Sequence, residues 1–226
     1  IKRIFITLIL TLLTFSCKEK ESNEQIVVEK TEVNKKLENE LEKIRKIDQI
    51  ASDIARGENK KLSEREWKSK QDSLHRENQK KIKEIFNKYG YVGYDLAGER
   101  GSQSFWLVVQ HADNDLEFQQ KVLDEMKVEV EKGNADANSY GLLVDRVRLN
   151  SGKKQLYGTQ VDYNWKICQA YPKELKDSSS VNERREKIGL KPLEEYLNEM
   201  SELHYKMNEQ GFKQIGLKGP TLYLTK

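Results

Sequence analysis

Few residues in this chain combine reactive chemistry with a place where packing alone would not put them. Gln110-His111-Ala112-Asp113 closes the apolar run Phe105–Val109, and His111 falls on the Leu107/Val108 side of that run. A His-x-Asp pair can serve as a general base with its orienting carboxylate, or as metal ligands. The bland alternative is a capped junction, with Asp113 or Asn114 holding the next helix's amides while His111 favours the preceding C-terminus.

The second candidate pair is Asp145-Arg146. On a helix of about 100° per residue, Tyr140, Leu143, Val144 and Val147 gather on one side and Leu142 and Leu149 on the other. A helix apolar on two faces is packed on two faces, so Asp145 and Arg146 are expected to be partly buried and to need partners. An ion-pair network and a catalytic pair both remain open. Gln155, Tyr157, Thr159 and Gln160 surround Gly158 with neutral hydrogen-bonding groups. They could recognise an amide, a sugar or a peptide, or form one polar face of a hairpin. Arg184 and Arg185 stand in the first turn of a short helix, where the dipole disfavours cations, so a carboxylate or an anionic ligand is expected to hold at least one of them. His75 and His204 lie among charged residues and receive no role. No P-loop, dinucleotide fingerprint, H-E-x-x-H or G-x-S-x-G occurs; no cofactor is implied and no metal site is assigned.

The elements that must position these residues are mostly helical. Val33, Leu37, Leu41, Ile44, Ile47, Ala51 and Ile54 recur every three or four residues, predicting a long helix that stops near Gly57. Trp67, Leu74, Ile82, Ile85, Phe86 and Tyr89 predict a second, from about Ser63 to Tyr89, with Gly90 as its stop. Phe105–Val109 reads as a short buried helix. Asn114-Asp115-Leu116-Glu117 has the layout of a capping box for a helix running to about Gly133, and another helix lies over 138–150. Val161, Tyr163, Trp165, Ile167, Gln169 and Tyr171 alternate, predicting a hairpin over 154–171 with its turn near Asp162 to Asn164. Ser180-Val181-Asn182-Glu183 reads as a second capping box for a short helix closed by Gly189; Pro192 opens a last amphipathic helix, and the tail from Phe212 to Leu224 offers a strand. The expected fold is mainly α, a single helical domain over 33–226 with one small β-hairpin.

The N-terminal residues read as an anchor. Lys2 and Arg3 precede the apolar run Ile4–Phe15, which ends in Ser16-Cys17 and gives way to Lys18-Glu19-Lys20-Glu21. Its twelve residues span roughly 18 Å as a helix, too short for a ~30 Å hydrocarbon core. The segment resembles a bacterial lipobox, with Phe15 where a small residue is usual. It predicts a signal peptide over 1–16, lipid on Cys17, a polar tether over 17–32 and a place in the cell envelope, at the outer membrane or cell surface rather than the inner membrane. Loss of Lys2 and Arg3 lowers the formal charge from +3 to +1, which gives no electrostatic case for nucleic acid. With Cys17 lipidated, Cys168 has no partner, so a disulfide framework and a cysteine-rich zinc site are excluded.

The four polar segments, Gln110–Asp113, Leu143–Val147, Gln155–Gln160 and Arg184-Arg185 with Gly189-Leu190-x-Pro192-Leu193, resemble a bacterial family known as domain of unknown function 6624. Asp48-Gln49 with Arg56, and Asp72 with Asn78, are similar to its weaker upstream elements, so the resemblance spans roughly 40–200. The family carries no known activity; the resemblance implies that these polar residues are its signature. Three functions are compatible with them. One is a ligand- or protein-binding module using Gln155, Tyr157, Gln160 and Arg185. Another is an envelope hydrolase with His111 as acid/base, oriented by Asp113 or Asp145, and Arg146 or Arg185 stabilising negative charge. The last is a structural lipoprotein whose polar cluster is an internal network. The partners expected are the membrane, through lipid on Cys17, and an envelope ligand or protein.

Overall fold

The computed structural model describes residues 32–225; the expected signal peptide, Cys17 and nearly all of the expected tether lie outside them. Helix α1 (Lys35–Ser52) begins where Asn34 accepts from the Leu37 amide, and it buries Leu37, Leu41, Ile44, Asp48 and Ala51 along one stripe. It ends before Gly57, because the Gln71 side chain takes the carbonyls of Ala51 and Asp53 and Ile54 is exposed, so nothing rewards a further turn. A 3₁₀ turn, Gly57–Lys61, follows. Helix α2 (Glu64–Tyr89) opens on a reciprocal capping box between Ser63 and Glu66 and stops at Gly90, whose φ of +71° favours glycine.

Helix α3 (Tyr94–Gln110), kinked at Gly98 where φ is +67°, begins well before the apolar run 105–109 that signals it. Its first half, Tyr94 to Ser104, carries Ala97, Gly98, Gly101, Ser102 and Ser104, small residues without an apolar stripe. They serve close packing: a Cβ on Gly101 would stand 3.4 Å from the Glu38 Cα of α1 and closer still to the Ala97 side chain, so larger residues there would push the helices apart. Helix α4 (Leu116–Glu131) is capped by Asp115, which accepts from the Phe118 amide; Asn114 is not the cap. Helix α5 (Ala137–Asn150) is capped by Asp136. One core cluster, with Leu41, Ile82, Phe105, Val122, Met126 and Leu143 among its members, joins these five helices.

The hairpin is shorter and later than expected. Strands β1 (Val161–Asn164) and β2 (Gln169–Pro172) pair antiparallel, Val161 opposite Pro172 and Asn164 opposite Gln169, so the turn is 165–168 and not 162–164. Residues 154–160 form an irregular loop tied to 173–176. Helices α6 (Val181–Glu186), α7 (Leu193–Met207) and α8 (Glu209–Gln214) complete the fold. Ser180 precedes α6 without capping it; its hydroxyl meets Asp177 and Arg184 instead. The tail forms no strand: Phe212 lies in α8, and Thr221 and Tyr223 donate their amides to the Ile167 carbonyl and the Asn198 side chain. Ala170, Val181, Leu193 and Leu197 form a second, smaller core beneath the hairpin. The architecture among the described residues is mainly α, with one two-stranded hairpin.

Candidate functional site

Position 48 belongs to the buried stripe of α1, one turn from both Ile44 and Ala51, yet carries a carboxylate that is fully buried. Two imidazoles face it. His111, the C-cap of α3, places Nδ1 2.6 Å from Asp48 Oδ2, and His75 of α2 places Nδ1 3.5 Å from Asp48 Oδ1. Toward an ionised carboxylate, which only accepts, the His111 nitrogen in this bond is the donor, the tautomer that leaves Nε2 with a lone pair. The two rings meet edge to face, 6.3 Å between centroids. Neither Nε2 has a hydrogen-bond partner or is buried among the described residues, and the side chains stay 33% and 22% exposed for His75 and His111. Asn78, one turn beyond His75 on α2, donates to the Ile44 carbonyl and leaves its own Oδ1 buried and unpartnered. Asp48 Oδ1 and Gln119 Oε1 are likewise buried without a hydrogen bond. Buried acceptors without donors are costly, and their concentration on Asp48 and the helices around it marks a place not optimised for stability.

His111 is therefore oriented by Asp48, not by Asp113 or Asp145. Asp113 instead takes a two-point bond from Arg146, Nε to Oδ1 at 2.7 Å and Nη2 to Oδ2, together with the Asn150 amide at 2.9 Å. Burial opposes ionisation of Asp113, but the hydrogen bond and charge of Arg146, with Gln119 and Asn150, outweigh it and hold its carboxyl below the usual range. Gln119 of α4 also donates to the Val109 and Gln110 carbonyls, so three side chains from α4 and α5 fix the short loop that carries His111.

Asp145 does not pair with Arg146. Its carboxylate is fully buried and grips the 154–160 loop: Oδ1 accepts the amides of Leu156 at 2.6 Å and Tyr157 at 3.1 Å, and Oδ2 accepts the Thr159 amide at 2.9 Å and hydroxyl at 3.0 Å. The other residues expected to form a ligand rim spend most of their polar groups on the protein, the Tyr157 hydroxyl being an exception. Gln155 donates to the carbonyls of Gln160 and Lys173 and accepts from the Gln160 amide. The Gln160 side chain reaches the Leu142 carbonyl. Tyr157 gives its amide to Asp145 and its carbonyl to Arg185. Arg185 is buried, donating to the Tyr157 and Lys191 carbonyls over the Tyr196 ring, and burial lowers its pKa. Arg184 binds the carbonyls of Leu156, Lys176 and Asp177. Loop carbonyls account for Arg185, whereas Arg184 also meets the Ser180 hydroxyl and, at 3.8 Å, the Asp177 carboxylate, so a structural carboxylate does face one of the two arginines.

Two histidines given no role in the sequence reading have defined places. His75 completes the Asp48 cluster. His204 is buried, stacked on Tyr163 with centroids 3.9 Å apart and edge-on to Trp165 and Phe212, and burial lowers its pKa. The available signal for the cluster was Asp48 itself, a charge on an apolar stripe. Among the described residues no group of three or more His, Cys, Asp or Glu is arranged to hold a metal ion. A polar cavity of about 260 Å³ lies between Tyr91, Tyr94, Gln103, Trp106 and Asp136 and includes none of the three histidines.

No curated protein and no solved structure matches the chain. A family model, described as a family of unknown function (DUF6624), matches residues 36–208, a span that holds Asp48, His75 and His111 as well as the loop lock around Asp145, and the chain belongs to that family.

Proposed function

We propose that Asp48, His75 and His111 form a general acid–base site, and that the chain is an envelope hydrolase held to a membrane by lipid on Cys17. The observation that carries the reading is one buried carboxylate facing the Nδ1 atoms of two imidazoles whose Nε2 atoms are unpartnered and accessible. The hydrogen bond to Asp48 orients the His111 ring, His75 stands beside it, and the outer nitrogens of both rings are left to work, as catalysis by positioned imidazoles requires. In the reaction, water gives a proton to His111 Nε2 while its oxygen bonds to the electrophilic centre of an ester or amide. The leaving group departs with a proton from His75 in its protonated form, and exchange with solvent resets both rings. Arg146 acts at one remove, holding Asp113 and with it the loop that carries His111. A ligand-gripping rim at Gln155, Tyr157, Gln160 and Arg185 has less support, since protein atoms already occupy most of their polar groups.

The test is turnover of a panel of activated carboxylic and phosphoric esters by wild type, His111→Gln, His75→Gln and Asp48→Asn. A bell-shaped pH profile is expected for wild type, with a loss of about 10²–10⁴-fold in His111→Gln. No turnover across the panel, or turnover indifferent to His111→Gln, overturns the proposal.

A further inference from the structure

The second half of the chain exposes apolar side chains out of proportion to its length. Of the twelve large hydrophobic residues exposed among the described residues, eight lie at or beyond Trp165. Three of them share one groove of about 490 Å³: Trp165 in the hairpin turn, 59% exposed; Met207 at the end of α7, 74%; and Ile215 after α8, 64%. Leu203, one turn before Met207, continues the strip. The groove floor is Phe212, which stacks on both Trp165 and Tyr205.

Lysines, and few acids, border these residues. Lys206 lines the groove, Lys166 adjoins Trp165, and Lys213 and Lys218 flank Ile215 in sequence; all four are exposed. Lys213 pairs with Glu209, whereas among the described residues no hydrogen bond or ion pair engages the side-chain amines of Lys166, Lys206 or Lys218. The composition discriminates between partners. Protein interfaces deplete lysine, particularly at their centres. Membrane-surface elements combine protruding Trp, Leu and Ile with lysines that reach the headgroups, and tryptophan favours the headgroup level for its amphipathic ring. We propose that the Trp165–Met207–Ile215 groove is a docking surface for an anionic lipid bilayer, with the apolar side chains entering the headgroup layer and Lys166, Lys206 and Lys218 meeting lipid phosphates. Each lysine near an anionic leaflet strengthens binding about fivefold, so the three together contribute roughly a hundredfold. This surface is independent of the histidine site.

The experiment uses the full chain carrying Cys17→Ser, so that no acyl chain holds it to lipid, with vesicles of phosphatidylcholine alone or mixed with phosphatidylglycerol, each with and without brominated acyl chains. Trp67 and Trp106 are buried and the N-terminal apolar segment contains no tryptophan, so a change in emission reports Trp165. A blue shift and bromine quenching are expected with phosphatidylglycerol, absent in Trp165→Phe and at least tenfold weaker in the double variant Lys166→Glu, Lys206→Glu. Quenching equal in the two lipids, no quenching in either, or a blue shift that instead follows protein concentration without lipid, the mark of a second copy on the groove, each overturns the proposal.

Discussion

Replacing Asp145 by Asn removes one charge and changes one oxygen to an amide, yet the structure makes it a severe change. The carboxylate is fully buried and both oxygens accept from the loop: the Leu156 and Tyr157 amides on one side, the Thr159 amide and hydroxyl on the other. Asparagine keeps one acceptor. Whichever way it turns, its NH2 group confronts backbone N–H donors that cannot reverse, so at least one buried donor is stranded and the remaining bonds lose their charge assistance. Charge-assisted bonds contribute about 1.5–3 kcal/mol each, and breaking a buried charged network costs about 3–5 kcal/mol, so a loss of about 3–5 kcal/mol is expected. Asp113→Asn is the contrast. Its pair with Arg146 is partly open to solvent, 42% and 31% exposed, and screening holds the loss to about 1 kcal/mol or less. Urea denaturation of the two purified variants reads the difference. At about 2 kcal/mol per M, Asp145→Asn lowers the midpoint by about 1.5–2.5 M and Asp113→Asn by about 0.5 M or less. Equal midpoints for the two variants would refute the assignment of Asp145 as the lock of the loop.

Three further outcomes are expected. Gly158→Ala costs about 2 kcal/mol or more in the same assay, because φ is +72° and the new Cβ would stand 2.8 Å from Leu193 Cδ1; a cost below about 0.5 kcal/mol contradicts that packing. For His204, burial places the folded-state pKa below 6.5, so on acidification below 6.5 the unfolded chain takes up a proton that the folded chain does not, and stability falls; above 6.5 both states are neutral and the contribution vanishes. The loss of stability just below pH 6.5 is therefore shallower in His204→Gln than in wild type, and identical slopes count against it. Cys17→Ser abolishes labelling by radioactive palmitate in cells; undiminished labelling places the lipid elsewhere.

The helical frame was legible because most helices carry an apolar stripe or a cap: α2 with Ser63/Glu66 and Gly90, and α7 opened by Pro192. Where the sequence misled, packing was carried by small residues or long-range bonds. The first half of α3 shows no stripe because Ala97 and Gly101 are there to admit α1 at close range, a tertiary reason invisible locally. His111 stands out in the sequence, but neither of its expected partners, Asp113 or Asp145, is the carboxylate that holds it, which lies 63 residues earlier on another helix. His75 carries no local signal because its sequence neighbours are charged, although Asn78, one turn on, is buried and shows that this side of α2 faces α1. Asp145 and Arg146 looked like a pair because they are adjacent, yet neighbours on a helix point about 100° apart and are poorly placed to face each other.

That divergence gives α5 a role neither residue has alone. Asp145 points to the 154–160 loop, and through that loop's bonds to Arg184 and Arg185 it fastens the C-terminal helices. Arg146, the next residue, points to Asp113 and so to the loop that carries His111. One turn of helix thus bolts the smaller core to one side and the histidine site to the other, and any rotation of α5 about its axis must disturb both. The two attachments differ in kind. Asp145 is sealed from water and its bonds are stiff, whereas the Arg146–Asp113 pair is open to solvent and can be exchanged for water at little cost. The rigid attachment fixes where α5 lies, and the compliant one holds the His111 loop only together with Gln119 and Asn150, so loss of Arg146 alone leaves that loop with two of its three tethers.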